Sequence, residues 1–135
     1  MYLYLDTRQS LSIRVSLLTA MGHVVRTVHI RSRQTAGGIL AGISKALAAG
    51  NVSAAQLDAV VVEQGPGGFS TLRAGVSIGN AVAFALKKKC IGLVTAVEPL
   101  KMRLDKALKG RVKYAYIEEP FYGSEPSITK PRKSI

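Results

Sequence analysis

Residues 60–73, Val-Val-Val-Glu-Gln-Gly-Pro-Gly-Gly-Phe-Ser-Thr-Leu-Arg, compress a strand, a glycine-rich turn and a helix start into one uninterrupted run. Val60, Val61 and Val62 suit a strand covered on both faces, since β-branched side chains pack well on a pleated surface. Gly65-Pro66-Gly67-Gly68 can continue neither strand nor helix, so the chain turns there. Ser70 is expected to cap the helix that follows, its hydroxyl accepting from a free amide of the first turn. Ala74, Val76, Ile78, Ala81, Val82, Ala85 and Leu86 then sustain an apolar helix to Leu86.

A glycine-rich loop at a helix start has two readings. Bare amides there attract anions, which suits a phosphate. Yet the run has neither the Gly-Lys-Ser/Thr ending of a phosphate loop nor the Gly-x-Gly-x-x-Gly of a dinucleotide site, so a plain tight turn stands beside it. Arg73 adds a constraint. It falls in the first helical turn, where the positive end of the macrodipole opposes a cation, so a compensating partner is expected from Asp6, Glu63 or an acidic group on another chain.

Gly65-Pro66-Gly67-Gly68-Phe69-Ser70-Thr71-Leu72-Arg73 resembles the Gly-Pro-Gly-Ser-Phe-Thr-Gly-Leu-Arg signature of the TsaB (YeaZ) family, matching at Gly65, Pro66, Gly67, Phe69, Leu72 and Arg73. That family supplies the accessory subunit of the bacterial machinery that makes threonylcarbamoyladenosine in tRNA. Tyr4-Leu5-Asp6-Thr7 resembles its opening Ile-Asp-Thr strand, and Leu57-Asp58-Ala59-Val60 its Leu-Asp-Ala-Ile approach to the signature. The resemblance runs from Met1 to about Pro99. Gly68, Ser70 and Thr71 depart from the family's Ser, Thr and Gly, the last being the least conservative change.

The elements come in a readable order. Leu3 and Leu5 alternate with Tyr2 and Tyr4 in a first strand ending at Asp6, and Leu11, Ile13, Val15 and Leu17 alternate with polar residues in a second. After a turn at Met21-Gly22, residues 24–30 form a third strand antiparallel to the second. Residues 35–49 change to helical period, with Ile39, Leu40, Ile43 and Leu47 on one face and Gly50 as the stop. Ser53 and Gln56 make a capping box for a short turn before the Val60 strand. Residues 90–94 read as another buried strand, 95–108 as a third helix, and Val112, Tyr114 and Tyr116 as a last strand. Three antiparallel strands followed by helix, strand, helix, strand is the layout of a ribonuclease H-like α/β domain, and the resemblance implies the same: half of an actin-like or sugar-kinase-like architecture. The expected domain is 1–118, followed by an extended basic tail over 119–135 holding Pro120, Pro126 and Pro131.

Composition bounds the function. A length of 135 residues fits one domain with a real core, and 47% hydrophobic residues with no apolar run of bilayer length point to a soluble protein without a membrane role. Met1 to Leu5 meets Asp6 too soon for a signal peptide, and the single Cys90 fits a reducing cytoplasm as a core thiol. The net charge of +11 points to an acidic partner wherever it clusters. Lys87 to Lys89 follow a helix C-terminus, where cations are favoured anyway. Residues 101–135 hold nine Lys and Arg against four acids, and Lys130, Arg132 and Lys133 are the expected tRNA contacts.

Catalytic residues are sparse. A ribonuclease H-like nuclease needs several carboxylates around two metals, and before Lys101 only Asp6 and Glu63 make a plausible inward pair. His23 and His29, six apart on a strand, are expected on one face without a metal pair's spacing. The catalytic relative TsaD carries a His-x-x-x-His metal motif on its first helix, and residues 35–42 here hold no histidine. The helices say more. Ala36, Gly38, Gly42 and Ala46 on one, and Ala74, Gly75, Gly79 and Ala83 on the other, form small-residue stripes that lower helix stability unless a backbone approaches closely.

The resemblance implies that these two helices form the dimer face, with interface residues Ile39, Gly42, Ile43, Ala46, Arg73, Ala74, Gly75, Ile78, Gly79 and Val82. It also implies a non-catalytic scaffold for a TsaD-like catalytic subunit. A TsaE-like ATPase and tRNA would join through the complex, a homodimer would form when the chain is alone, and no cofactor is implied except ATP or ADP at the shared interface. Packing of the same stripes on the domain's own sheet is the competing structural expectation. An actin-like nucleotide-binding fragment using Asp6, Thr7 and the Gly65 loop, and a basic RNA-binding module, are the functional alternatives.

Overall fold

The computed structural model describes residues 1–9, 11–31 and 35–109. Within them the chain runs β1 (Tyr2–Asp6), β2 (Ile13–Leu18), β3 (Val24–Ile30), α1 (Thr35–Ala49), a 3-10 turn at Ala54–Gln56, β4 (Ala59–Gly65), α2 (Phe69–Leu86), β5 (Lys89–Val94) and α3 (Leu100–Lys109). The sheet order is β3-β2-β1-β4-β5. β1 and β2, like β2 and β3, pair antiparallel, whereas β1 with β4 and β4 with β5 pair parallel. This is the ribonuclease H-like arrangement, half of an actin-like fold, with five strands among the described residues.

Alternation on the strands decides what each face buries. Leu3, Leu5, Val15, Leu17, Val60, Val62 and Cys90 meet Ile39, Ile43, Ala46, Val76 and Ala83 under α1 and α2. Tyr4, Leu18, Val61, Ile91 and Leu93 meet Leu104 under α3. Val60, Val61 and Val62 are all fully buried, because β4 is central and covered on both sides. β3 is one edge strand, with Val24, Val25, Arg26 and His29 exposed.

Several boundaries fall elsewhere than the sequence suggests. α1 is stopped by Asn51, which takes the left-handed conformation at φ 51°, while the Val52 N–H reaches back to Leu47 O at 2.9 Å. Gly50 instead fits beneath Leu17, whose Cδ1 would lie 2.5 Å from any Cβ there. α2 begins at Phe69 with Gly68 as N-cap, so Ser70 lies inside the first turn and does not cap; the hydroxyl of Thr71 donates to Gly68 O at 3.2 Å. α3 starts only after Pro99, since the residue before a proline is held out of the helical region. The capping box at the short turn does form, the Ser53 N–H donating to Gln56 Oε1 at 2.8 Å. A register slip between Leu17 and Leu18 sets Val24 opposite Leu18 but Arg26 opposite Leu17, so even spacing no longer puts His23 and His29 on a common face. The expected strand around Val112 to Tyr116, the boundary at 118, and Lys130, Arg132 and Lys133 lie outside the described residues.

Candidate functional site

The C-terminal ends of two central strands and the glycine loop converge at one end of the sheet. β1 delivers Tyr4 and Asp6 on the α3 face, and the parallel strand β4 delivers Glu63 on the same face. Both carboxylates are buried, Asp6 at 4% and Glu63 at 0% exposure. Neither is left without a cation. The Arg8 Nε and Nη2 groups donate to the two oxygens of Asp6 at 2.8 Å each, and Arg14 Nη2 adds a third bond at 2.6 Å. Arg14 arrives because β2 sets it directly opposite Asp6. Arg103 grips Glu63 with both terminal nitrogens, at 2.9 and 2.7 Å, and the Tyr4 hydroxyl donates to Glu63 Oε1 at 2.7 Å. Two carboxylates thus lie on one face, as the sequence suggests, but Asp6 is closed by two guanidinium groups and Glu63 by one. No group of three or more His, Cys, Asp or Glu able to hold a metal occurs among the described residues.

The electrostatics follow from this wiring. Burial pushes the Asp6 carboxyl up, but the hydrogen bonds from Arg8 and Arg14 outweigh it and hold the pKa at about 2. Burial, then the negative charge of Glu63, keeps the Tyr4 phenol protonated well above its ordinary range. A depressed carboxyl stabilises the fold above the unfolded pKa, near 4, and the contribution disappears as pH falls through the folded value. Wild type is therefore expected to lose on the order of 2 kcal/mol of stability between roughly pH 4 and 2 through this group. Asp6→Asn should flatten that part of a urea-denaturation pH series. An equally steep acid limb in the variant would contradict it.

The signature loop is stitched to the β1–β2 connection. Gly68 N–H donates to Arg8 O at 3.1 Å, and a Cβ on Gly67 would meet that same oxygen at 2.5 Å, so Gly67 is required by close backbone approach. Gly65 takes φ 124°, and its carbonyl accepts from Thr95 N–H at 2.9 Å. The Arg8 guanidinium reaches across to Thr95 Oγ1 at 2.9 Å. Pro66, Arg8, Arg14, Ser12, His29 and Thr95 line a cavity of about 570 Å³ above Asp6. Thr7, the other residue of the nucleotide-binding alternative, is turned to the opposite face beneath Gly75, with its hydroxyl unpartnered.

The expected partner-interface residues divide. Ile39, Ile43 and Ala46 are core, at 0%, 7% and 0% exposure. Gly42, Gly75 and Gly79 also face inward: a Cβ would meet Ile30 Cδ1 at 2.3 Å, Thr7 Oγ1 at 2.1 Å and Val62 Cγ2 at 2.4 Å respectively. These glycines serve close approach of helix to sheet and not of helix to partner, which corrects the expectation for all six residues. Ala74, Ile78 and Val82 are half-buried against the same core, and Arg73 is exposed. Asp6 and Glu63 are already occupied, and no acid among the described residues pairs with Arg73.

The family model described as TsaD: tRNA N6-adenosine threonylcarbamoyltransferase matches residues 28–101, more than half of the chain. The chain belongs to that family. Within the matched span lie α1, β4, the signature loop, α2 and β5. Among family members, the tRNA N6-adenosine threonylcarbamoyltransferase of Symbiobacterium thermophilum is 41% identical over 80 residues, covering 59% of this chain and 23% of the relative. That of Staphylococcus haemolyticus is 39% identical over 62 residues, covering 46% and 18%. YeaZ from Pseudomonas aeruginosa superposes with a TM-score of 0.61 at 26% identity, over 69% of this chain and 43% of that one. The likeness to YeaZ agrees with the signature at Gly65 to Arg73. The chain spans about a fifth of the length of the curated transferases it matches, and less than half of YeaZ.

Proposed function

We propose that this chain is an accessory subunit that binds a TsaD-like threonylcarbamoyltransferase through the outer face of α1 and α2, supporting tRNA modification without supplying the catalytic groups. The observation that carries this reading is the composition of that face. α1 exposes Gly37, Leu40, Ala41, Ser44, Lys45, Ala48 and Ala49, and α2 exposes Ser70, Arg73, Ser77, Ala81, Phe84 and Ala85. Only Lys45 and Arg73 are charged, on a chain carrying +11 overall. Leu40 is 47% exposed on top of it. A weakly charged surface rich in small residues on two neighbouring helices suits another helical pair, and an acid from that pair would pair with the exposed Arg73. The absence of a catalytic role is supported by the closure of Asp6 and Glu63 by arginine; ATP or ADP, where it takes part, would sit at the surface shared with the partner.

Co-expression with the TsaD-like transferase of the same host tests the proposal. The two chains should co-elute in size-exclusion chromatography with a mass equal to the sum of one copy of each. Separate elution, or a homodimer of this chain that persists beside free transferase, would remove the reading.

A further inference from the structure

At the opposite end of the parallel strands from the glycine loop, a second cavity of about 620 Å³ opens between the C-terminus of α2, β5 and the end of α3. Its apolar lining includes Tyr2, Ile91 and Phe84, and Phe84 is 85% exposed, the most exposed aromatic ring among the described residues. Lys87, Lys88 and Lys89 stand around it. The acid in its wall, Asp58, is bound by the α-amino group of Met1, and no ion pair among the described residues joins it to any of the three lysines. Lys87 holds φ 56° and ψ 41° at the end of α2, where Lys88 N–H reaches back to Ala83 O at 2.8 Å. Glycine takes this left-handed position without strain, and a lysine there is a conformational burden. Helix capping thus explains a cation near this place but not a lysine in this conformation.

We propose that this cleft binds single-stranded RNA, stacking a base on Phe84 and pairing the adjoining phosphates with Lys87, Lys88 and Lys89. Single strands are held by an aromatic platform beside a cationic track, because every base offers a π-face and every linkage a negative charge. A lipid surface fits poorly, since Phe84 and the partly exposed Leu108 are the only large apolar side chains of the lining, among the described residues, that are exposed to solvent. An acidic peptide would satisfy the lysines but leave the ring without a flat partner. The choice of RNA rests on the tRNA-modification reading above. Phe84 also stands on the exposed side of α2, so RNA and a partner covering that helix would compete for the ring.

The test is fluorescence anisotropy of the full chain, without partner, on a labelled single-stranded RNA dodecamer across a salt series. Phe84→Ala should weaken binding about tenfold. Lys87→Gly should weaken it about threefold and lower the salt slope by about 0.7, while the melting temperature stays level or rises because the backbone strain is relieved. Unchanged affinity and slope in both variants would overturn the proposal. So would polyglutamate competing as well as RNA, or AMP binding as tightly as the dodecamer. RNA affinity is read on the chain alone, so it fails or holds separately from transferase binding. In the co-elution assay, Lys87→Gly should still form the complex.

Discussion

Gly79→Leu is expected to lower the melting temperature by several degrees. Gly79 lies on the inner side of α2, where a Cβ would meet Val62 Cγ2 at 2.4 Å, Cys90 Sγ at 3.5 Å and Leu5 Cδ1 at 3.6 Å. Val62 and Leu5 are fully buried and Cys90 is 2% exposed, so no neighbour can swing into solvent. Val62 is also β-branched and has little rotamer freedom. Overpacking of this kind costs about 1–3 kcal/mol or more, because helix and sheet must separate along their seam. Ala81→Leu, two residues on, is the control: it points outward and should change stability by less than about 0.5 kcal/mol. Thermal melts of both variants decide the direction of the stripe. A stable Gly79→Leu beside a destabilised Ala81→Leu would mean that the helix is turned the other way.

A larger loss is expected from opening the Glu63–Arg103 pair. Glu63 is fully buried and the Arg103 side chain is 10% exposed, with two hydrogen bonds joining them. Arg103→Leu leaves an ionised carboxylate in the interior with only the Tyr4 hydroxyl to answer it, which costs roughly 3–5 kcal/mol. It also frees α3, since Leu104 is the one fully buried side chain of that helix. Replacing both partners removes the stranded charge along with the attraction. Glu63→Leu combined with Arg103→Leu should therefore recover most of the loss. Urea denaturation of the single and double variants reads this directly, and a double variant no more stable than Arg103→Leu would show that the pair is not the cause.

The sequence discloses what depends on short-range pattern and hides what depends on register. The Val60 run, the helical period of α1 and the strand-turn-helix at the signature could be read because each lies within one element. The sides of the helices could not. A stripe of glycines at three- and four-residue spacing says that something approaches closely, and the sheet beneath Gly75 and Gly79 answers that as well as a partner does. Where Gly and Asn stand side by side at 50 and 51, either residue type can take the left-handed position, and only packing under Leu17 assigns Gly50 elsewhere. The Asp6 cluster needs the pairing of Asp6 with Arg14 across β1 and β2, and the Glu63 cluster joins residues forty positions apart. Even Arg8, two residues beyond Asp6, is not distinguished from Arg73 as its partner until the strands are paired. The expected beginning of α3 at Thr95 overlooks Pro99, which holds the helix back to Leu100.

The account rests most heavily on the outer face of α1 and α2 being the surface a transferase covers. Isothermal titration of the host's TsaD-like transferase with wild type and with Ala81→Glu tests that most directly, because Ala81 is exposed in the middle of α2 and lies outside both carboxylate clusters. A carboxylate there would be buried unpaired in the complex yet remain solvated in the free chain. The prediction is measurable binding by wild type, at least a tenfold loss of affinity in Ala81→Glu, and an unchanged melting temperature. Equal affinity of the two proteins for the transferase would contradict it.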